Sequence, residues 1–395
     1  KVPQLRFPEF TDAWKQRKVG DLLVERREMV TEDNEYPLMA FIANEGVAPK
    51  GDRFDRSALV KNADSKKYKR TKYGDFIYSS NNLESGSIGL NKYGKASISP
   101  VYSIFYPTNL ADSDFIGRYF LRKDFIGQMI RWRQGVVYGQ WKIPEADFLN
   151  IDIYIPSKDE QEKIGQILDK VDNTITLQQR KLNSLQKLKK GLLQKMFPKN
   201  GENIPEIRFP EFSDAWKQRE LKEVVNFSRG QGLPWADVDD LNGQFECILY
   251  GNLYTDYGTI IQNIKHKTNT DLKVKSKGNE VLIPGSDTTP TGLARALFLE
   301  KENVILGGDI NILSVKHDDG PFLAYELNKL KKELIIRIKG TTVKHLQNND
   351  LKDIVVSLPS LEEQRKISSL FSRLDNTITL QQRKLESLQK LKKGL

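Results

Sequence analysis

Two stretches of the chain carry apolar residues at nearly heptad spacing and are the clearest helices in the pattern. Each follows a proline and a Ser-x-x-Glu sequence, Ser157 to Glu160 and Ser360 to Glu363, which predicts a capping box at the helix start. The first helix is expected from residue 158 to 197 and to be about 60 Å long at 1.5 Å per residue. Its apolar positions are Ile164, Leu168, Val171, Ile175, Leu182, Leu185 and Leu192, with Gln178 interrupting them.

The regions that precede these helices show shorter, mixed patterns. Residues 97–99, 101–106 and 309–315 alternate between apolar and polar side chains, which predicts strands. Residues 115–121 and 322–327 predict short helices. The fold class is therefore α+β.

The chain is an internal repeat. Residues 6–17, RFPEFTDAWKQR, return at 208–219 with one difference, and residues 172–192 return at 375–395 with one difference. The sequence between these blocks has diverged. Each half is thus a globular region followed by a long helix. The predicted boundaries are 1–155 for the first globular region, 156–198 for the first helix, 199–357 for the second globular region and 358–395 for the second helix.

Each long helix needs a partner for its apolar stripe. The other copy in the same chain, packed antiparallel, is the favoured partner, and a parallel coiled coil between chains is the alternative. Antiparallel packing predicts two globular regions joined by two long antiparallel helices with an internal pseudo-twofold repeat.

Composition narrows the class of protein. The 395 residues include 62 Lys and Arg against 52 Asp and Glu, a net charge of +10, which suits a polyanionic partner. One cysteine and three histidines, without the spacing of zinc ligands, predict neither disulfides nor a metal site. No apolar run is long enough to span a membrane, and the first residues lack an apolar signal core. We therefore expect a soluble cytoplasmic protein.

Sequence patterns of catalysis are missing. Residues 89–95 resemble a phosphate-binding loop, but Ala96 stands where a Ser or Thr would bind Mg²⁺, so a turn is the favoured interpretation. Pro234 disrupts the helix that a dinucleotide fingerprint at Gly230 and Gly232 would require. No hydrolase, metalloprotease or amino-methyltransferase motif occurs. We predict no catalytic residue, and a role in recognition or assembly.

Clusters of basic, amide, hydroxyl and aromatic side chains occur in both globular regions. Basic groups neutralise phosphates, and Arg, Gln, Ser and Thr can bind base edges; the alternative is a solvated charged face. The candidate DNA-binding residues are Lys61, Lys66, Lys67, Tyr68, Lys69, Arg70, Lys72, Arg131, Arg133, Gln134, Tyr138, Gln140, Trp141, Lys142, Arg229, Gln231, Lys265, Lys267, Thr288, Thr289, Arg295, Thr341, Thr342, Lys344 and His345.

Two diverged regions held apart by helices suit duplex DNA, where dimeric proteins bind half-sites about 34 Å apart. We expect an asymmetric bipartite site.

The repeated helix segments match on all faces, so each copy is a candidate docking site for the same partner, although a recent duplication is an equal alternative. The candidate partner-binding residues are Gln178, Gln179, Arg180, Leu185, Leu188, Leu192, Gln381, Gln382, Arg383, Leu388 and Leu391.

The order of these blocks resembles the specificity subunit (HsdS) of type I restriction-modification systems, staphylococcal-like members in particular. The resemblance rests on Pro156-Ser157-x-x-Glu160-Gln161, its copy at residues 359–364, the helix ending LQKLKKGLLQKMF and the RFPEF-x-DAWKQR blocks. It implies two target-recognition domains that each bind one half-site of double-stranded DNA, and helices that set the spacing and dock two modification subunits (HsdM).

The resemblance also implies that the chain is not an enzyme and binds no cofactor. The modification subunits would carry S-adenosylmethionine, and restriction subunits (HsdR) would use ATP and Mg²⁺. Competing interpretations are a coiled-coil scaffold with two protein- or glycan-binding heads, a self-sufficient DNA enzyme, and the specificity subunit of another bipartite restriction system.

Overall fold

A computed structural model describes residues 3, 5–31, 33–49, 67–136, 140–199 and 201–394. The chain forms two compact units, which we call unit 1 (residues 1–175 and 388–395) and unit 2 (residues 176–387). This division cuts both long helices, whereas the boundaries expected from the sequence keep each helix whole.

The first half of the chain alternates short strands and helices before one long helix. In chain order they are β1 (Lys15–Lys18), α1 (Val19–Leu22), β2 (Leu23–Glu25), β3 (Met29–Val30), β4 (Ala40–Ile42), β5 (Gly46–Ala48), β6 (Tyr68–Thr71), β7 (Phe76–Tyr78), β8 (Ile88–Leu90), β9 (Ala96–Ile98), β10 (Ser103–Pro107), α2 (Ser113–Phe120), α3 (Lys123–Ile130), β11 (Gln134–Val136), β12 (Gln140–Lys142), α4 (Glu145–Leu149), β13 (Asp152–Ile155) and α5 (Lys158–Lys195).

The second half repeats this plan with larger sheets. Its elements are β14 (Lys217–Glu220), α6 (Leu221–Val224), β15 (Val225–Arg229), β16 (Phe245–Ile248), α7 (Asn252–Thr255), β17 (Ile260–Ile261), β18 (His266–Thr268), β19 (Lys275–Lys277), β20 (Glu280–Pro284), β21 (Ser286–Asp287), α8 (Pro290–Leu293), β22 (Leu297–Leu299), β23 (Glu302–Leu306), β24 (Ile310–Val315), α9 (Gly320–Lys329), α10 (Lys331–Ile336), β25 (Lys344–His345), α11 (Asn348–Leu351), β26 (Val355–Leu358) and α12 (Leu361–Gly394).

Unit 1 is built around a four-stranded sheet in the order β2-β10-β7-β8. Phe76 and Tyr78 from β7 and Phe105 from β10 are fully buried against Phe120 of α2 and Phe148 of α4. The predicted strand at 101–106 corresponds to β10, and the predicted helix at 115–121 to α2, so both predictions are confirmed.

Unit 2 contains a five-stranded sheet, β15-β24-β20-β22-β17, and a four-stranded sheet, β18-β16-β23-β19. The predicted strand at 309–315 is β24, and the predicted helix at 322–327 lies within α9. Phe322 of α9 stacks on Phe197, just beyond α5, and Phe197 also contacts Phe371 of α12. This aromatic cluster joins both long helices to the core of unit 2.

Local details differ from the sequence predictions at the helix starts. In both predicted capping boxes the glutamate side chain accepts hydrogen bonds from an arginine of the N-terminal block, not from the backbone of the cap residue. Only the serine half of the box is formed at α12, where Ser360 Oγ accepts from Glu363 N at 3.3 Å. The phosphate-loop-like segment begins in β8 and continues as a turn closed by the Asn91 side chain, in agreement with the predicted turn.

Glu326 of α9 gives unit 2 a specific pH dependence. Its Oε1 accepts from Ser357 N at 3.1 Å, whereas Oε2 is buried without a hydrogen-bond partner, and Lys329 Nζ lies 3.7 Å away. Burial raises the pKa of this carboxyl above its ordinary value. As pH rises through that ordinary value toward the raised one, the unfolded chain releases its proton first, so folding stability falls.

We therefore expect Glu326→Gln to flatten the pH dependence of thermal unfolding from the ordinary glutamate pKa of about 4.3 upward, because the glutamine carries no titrating proton. Melting temperatures of wild type and variant across this range measure the effect. Glu300→Gln, at an exposed position, is the matched control and should keep the wild-type profile. Identical profiles for wild type and Glu326→Gln would contradict the assignment.

Candidate nucleic-acid interface

The two N-terminal blocks hold the long helices in place by the same ion pair. Arg6 donates to both carboxylate oxygens of Glu160 at 2.7 Å, and Arg208 donates to those of Glu363 at 2.8 and 2.7 Å. Both glutamates are buried, and the hydrogen bonds that Arg208 donates to Glu363 raise the pKa of Arg208 further above its already high value. Breaking such a buried pair leaves an uncompensated charge, so the pair fixes the first turn of each helix.

The glutamine that follows each of these glutamates is a second anchor. Gln161 accepts from Asp112 N and donates to Pro156 O, and Gln364 accepts from Asp319 N and donates to Pro359 O. Asp112 and Asp319 in turn cap α2 and α9. The Glu-Gln pair of the repeated signature thus ties each long helix to the globular part of its own unit, a role that sequence reasoning missed.

The long helices also repeat an ion pair with each other. In unit 1, Lys392 of α12 pairs with Asp172 of α5; in unit 2, Lys189 of α5 pairs with Asp375 of α12. Asp172 and Asp375 are equivalent in the repeat, as are Lys189 and Lys392. Burial opposes ionisation of Asp172, but hydrogen bonds from Lys392 and Arg118 hold its pKa below the ordinary value.

Helix direction can be read within unit 2. There Lys189 meets Asp375 and the later Phe197 meets the earlier Phe371, so α5 and α12 run antiparallel. The favoured pairing within one chain is confirmed for this unit.

The basic residues around β6 in unit 1 differ in exposure and in their partners. Lys61 and Lys66 lie outside the described residues, as does Tyr138. Lys67 and Lys72 flank β6 and are exposed. Within β6, Lys69 donates to Tyr102 O, and Arg70 pairs with Glu28 and Asp33 and packs over a tyrosine ring. The Arg70 guanidinium is therefore held by its own domain.

The second cluster of unit 1 forms one structural element. Arg131 and Arg133 lead into β11, which pairs antiparallel with β12, and the strands carry Gln134, Gln140, Trp141 and Lys142. These residues are exposed except for Arg133, which is partly buried. The sequence patterns therefore identified a real surface element here, although they did not predict its hairpin form.

In unit 2 the structure brings one group of candidates together and separates others. Strand β25, with Lys344 and His345, pairs with β21. Thr288 and Thr289 directly follow β21 in the chain. Ser286 Oγ and His345 Nδ1 lie 3.0 Å apart. Lys265 and Lys267 lie in or beside β18 of the other sheet, and Gln231 accepts from Lys273 N.

Two arginine candidates of unit 2 are engaged by their own domain. Arg295 donates to the carbonyl oxygens of Tyr254 and Tyr257, and burial lowers its pKa from the ordinary value. Arg229 pairs with Asp309. These contacts within unit 2 fix the positions of both guanidinium groups.

The candidate partner-binding residues on the long helices fall into two classes. Gln179, Arg180 and Leu188, with the equivalent Gln382, Arg383 and Leu391, are exposed, whereas Leu185, Leu192, Gln178, Gln381 and Leu388 are partly buried. The Oε1 atoms of Gln178 and Gln381 are buried without a hydrogen-bond partner among the described residues. The repeat therefore presents the same exposed side chains twice.

The described ranges contain neither a metal-type cluster nor a membrane-spanning helix. No group of three or more His, Cys, Asp or Glu residues there is arranged to hold a metal ion. Cys247 is buried, and burial raises the pKa of its thiol to about 11. No helix within those ranges is both long and apolar enough to cross a membrane.

A family model described as the type I restriction modification DNA specificity domain matches the chain twice, over residues 11–187 and 213–390. The two matches fall one in each half of the repeat and together cover most of the chain. The two halves of the internal repeat thus coincide with two copies of one family domain.

Individual relatives agree with this match. The type I restriction enzyme MjaVIII specificity subunit of Methanocaldococcus jannaschii is 26% identical over 281 residues, 64% of this chain and 63% of that protein. The putative MjaX specificity subunit of the same organism is 27% identical over 263 residues, 65% of this chain and 60% of that protein. The matches span less than two thirds of these curated relatives. The type I restriction-modification S subunit from M. genitalium shares the fold, with a TM-score of 0.60 at 15% identity over 100% of this chain and 97% of that one.

Proposed function

The chain belongs to the family of type I restriction modification DNA specificity domains, and from this premise we propose that it selects the double-stranded DNA sequence on which a type I restriction-modification complex acts. The chain supplies recognition and no catalysis. Its place of action is then the cytoplasm, where the DNA is accessible.

Each unit recognises one half-site. The observation that carries this proposal is the duplicated frame: Arg6 with Glu160 and Arg208 with Glu363 hold two globular regions to their helices in the same way. The surfaces on these frames differ in sequence between the halves. Two equivalent scaffolds with different surfaces favour two different half-sites, and hence an asymmetric bipartite target.

The helices separate the half-sites and dock two modification subunits. Support comes from the exposed side chains that the repeat presents twice, Gln179, Arg180 and Leu188 on α5 and their equivalents on α12. Identical surfaces bind identical partners, so two copies of one subunit suit this arrangement. In the complex, S-adenosylmethionine belongs to the modification subunits, and ATP and Mg²⁺ to the restriction subunits.

Salt dependence tests the DNA-binding part of this proposal. With phosphate contacts, the logarithm of the binding constant falls linearly with the logarithm of salt concentration, with a slope of about −0.9 per neutralised phosphate. The net charge of +10 favours several such contacts. We expect a steep slope for the full chain in complex with its modification subunit, measured by fluorescence anisotropy with duplex DNA.

Two exposed lysines beside β6 provide the matched variants. Replacing Lys67 and Lys72 with alanine should reduce the salt slope by up to about 2, roughly one unit for each lost phosphate contact. Lys123→Ala, at an exposed position of α3, is the control and should leave the slope unchanged. Binding that does not respond to salt, or no binding, would favour the scaffold interpretation.

A further inference from the structure

Each unit carries a hairpin at the same position of its fold. In unit 1, β11 and β12 lie between α3 and α4; in unit 2, residues 339–345 lie between α10 and α11. Lys339 and His345 exchange two backbone hydrogen bonds, at 3.0 and 2.7 Å, which close the second hairpin. Gly340 has φ of +100°, and a Cβ there would lie 2.2 Å from Val343 O, so this turn requires glycine.

Both hairpins are fixed to the segment that follows the central strand of their unit. In unit 1, Trp141 N donates to Asn81 Oδ1 at 2.5 Å and Ile143 N donates to Ser80 Oγ at 2.9 Å, just after β7. In unit 2, β25 pairs with β21, just after β20. These hydrogen bonds and this strand pairing attach both hairpins to the cores of their units.

Both hairpins carry exposed side chains that are able to bind base edges. Gln140 and Trp141 are exposed in unit 1, and the Trp141 side chain retains 49% of its accessible surface beside Gly135 of the paired strand. Thr341, Thr342 and Val343 are exposed in unit 2. Amides and hydroxyls hydrogen-bond to base edges, and apolar groups contact the thymine methyl.

Three charged groups in or beside the hairpins already lie next to carboxylates of their own unit. Arg133 pairs with Glu84 at 2.8 Å, Lys142 lies 3.8 Å from Glu145, and Lys339 pairs with Asp350 at 2.5 Å. In addition, Gln134 donates to Asp147, and Lys344 Nζ donates to Gly340 O. Carboxylates beside the hairpins disfavour phosphate. Their chemistry is thus suited to base edges, while phosphate contacts fall elsewhere.

We propose that these two hairpins are the base-reading elements of the chain: Gln140 and Trp141 discriminate bases of one half-site, and Thr341 and Thr342 discriminate bases of the other. The major groove admits a two-stranded β-ribbon, which is the form of β11 and β12 in unit 1. In unit 2 the hairpin is a turn closed by a single antiparallel bridge between Lys339 and His345. This inference rests on the proposed function and narrows it to named residues.

The test compares hairpin variants in the full complex. The unit 1 variants are Gln140→Ala and Trp141→Ala, and the unit 2 variants are Thr341→Val and Thr342→Val, which remove a hydroxyl while keeping the side-chain shape. Lys123→Ala is the control outside both hairpins. Each variant is co-expressed with its modification subunit, and genomic adenine methylation is mapped by sequencing.

We expect each pair of variants to lose discrimination, about tenfold or more, at one or more positions of one half-site only. The other half-site, the thermal unfolding and the salt slope for non-specific DNA should match wild type. A variant that is less stable is tested by competition between matched and single-mismatch duplexes below its melting temperature.

Three outcomes would overturn the inference. All variants methylating the wild-type motif with unchanged discrimination would show that the hairpins do not read bases. A reduced salt slope with unchanged motif would assign them to phosphate binding. A wild-type complex that binds DNA without any sequence preference would reject the proposed function, and the inference with it.

Discussion

Replacing Phe371 with alanine is expected to lower the free energy of unfolding of unit 2 by about 3–5 kcal/mol. The Phe371 side chain is fully buried, with ring centroids 5.9 Å from Phe197 and 5.2 Å from Tyr325. It belongs to α12, Phe197 follows α5 and Tyr325 lies on α9. Removing it leaves a cavity where three elements meet, so the loss exceeds the transfer free energy of the ring alone.

Urea unfolding followed by circular dichroism and tryptophan fluorescence measures this effect. Leu380→Ala lies on the same helix at a side chain that is 62% exposed, and should change stability by no more than about 0.5 kcal/mol. Equal effects of the two substitutions would mean that the aromatic cluster does not hold α12 to unit 2.

Replacing residues 24–150 with the corresponding segment of another family member is expected to change one half-site completely and leave the other unchanged. This exchange keeps β1 and its antiparallel partner β13, the Arg6–Glu160 ion pair, and the contact of Lys163 with Glu9. The contacts that hold the globular region to α5 therefore remain, while the exposed residues of segment 24–150 are replaced.

The matched exchange covers residues 226–353, the equivalent segment of the second half, with an offset of 202 at its start and 203 at its end. It should change only the other half-site. Methylation motifs of the two exchanges, mapped in the same host, provide the comparison. An exchange that alters both half-sites would contradict the assignment of one half-site to each unit.

The sequence predicted most reliably the long helices, whose heptad pattern extends over many residues, and the strands with a clear local alternation of apolar and polar residues. The heptad pattern predicted α5 and α12, and alternation predicted β10 and β24. The repeat at offsets of 202 and 203 predicted equivalent contacts without saying which ones they are. These features depend on residues close in sequence, or on identity between copies.

Contacts across long sequence separations were not predictable. Arg6 and Glu160 are 154 residues apart, and the Ser-x-x-Glu pattern pointed to a local cap instead. Arg70 and Arg295 have the right chemistry for phosphate, but neighbouring carboxylates and carbonyls engage them in the folded units. Composition cannot distinguish a cation held by its own protein from one that faces solvent.

The relation between the two hairpins was also not predictable from the sequence. Gln140, Trp141, Thr341 and Thr342 were identified as candidates by residue type alone. Their equivalence lies in the fold, where β12 precedes α4 and β25 precedes α11. A topological position, not a sequence match, relates the two candidate reading elements.

Methylation mapping of the wild-type complex tests the central claim most directly. The chain is co-expressed with its modification subunit in a host free of adenine methylation, and the genome is sequenced with adenine-methylation detection. We expect a single asymmetric, gapped motif that is methylated on both strands, with one half-site for each unit. A palindromic motif, or a soluble complex that methylates no defined sequence, would contradict it.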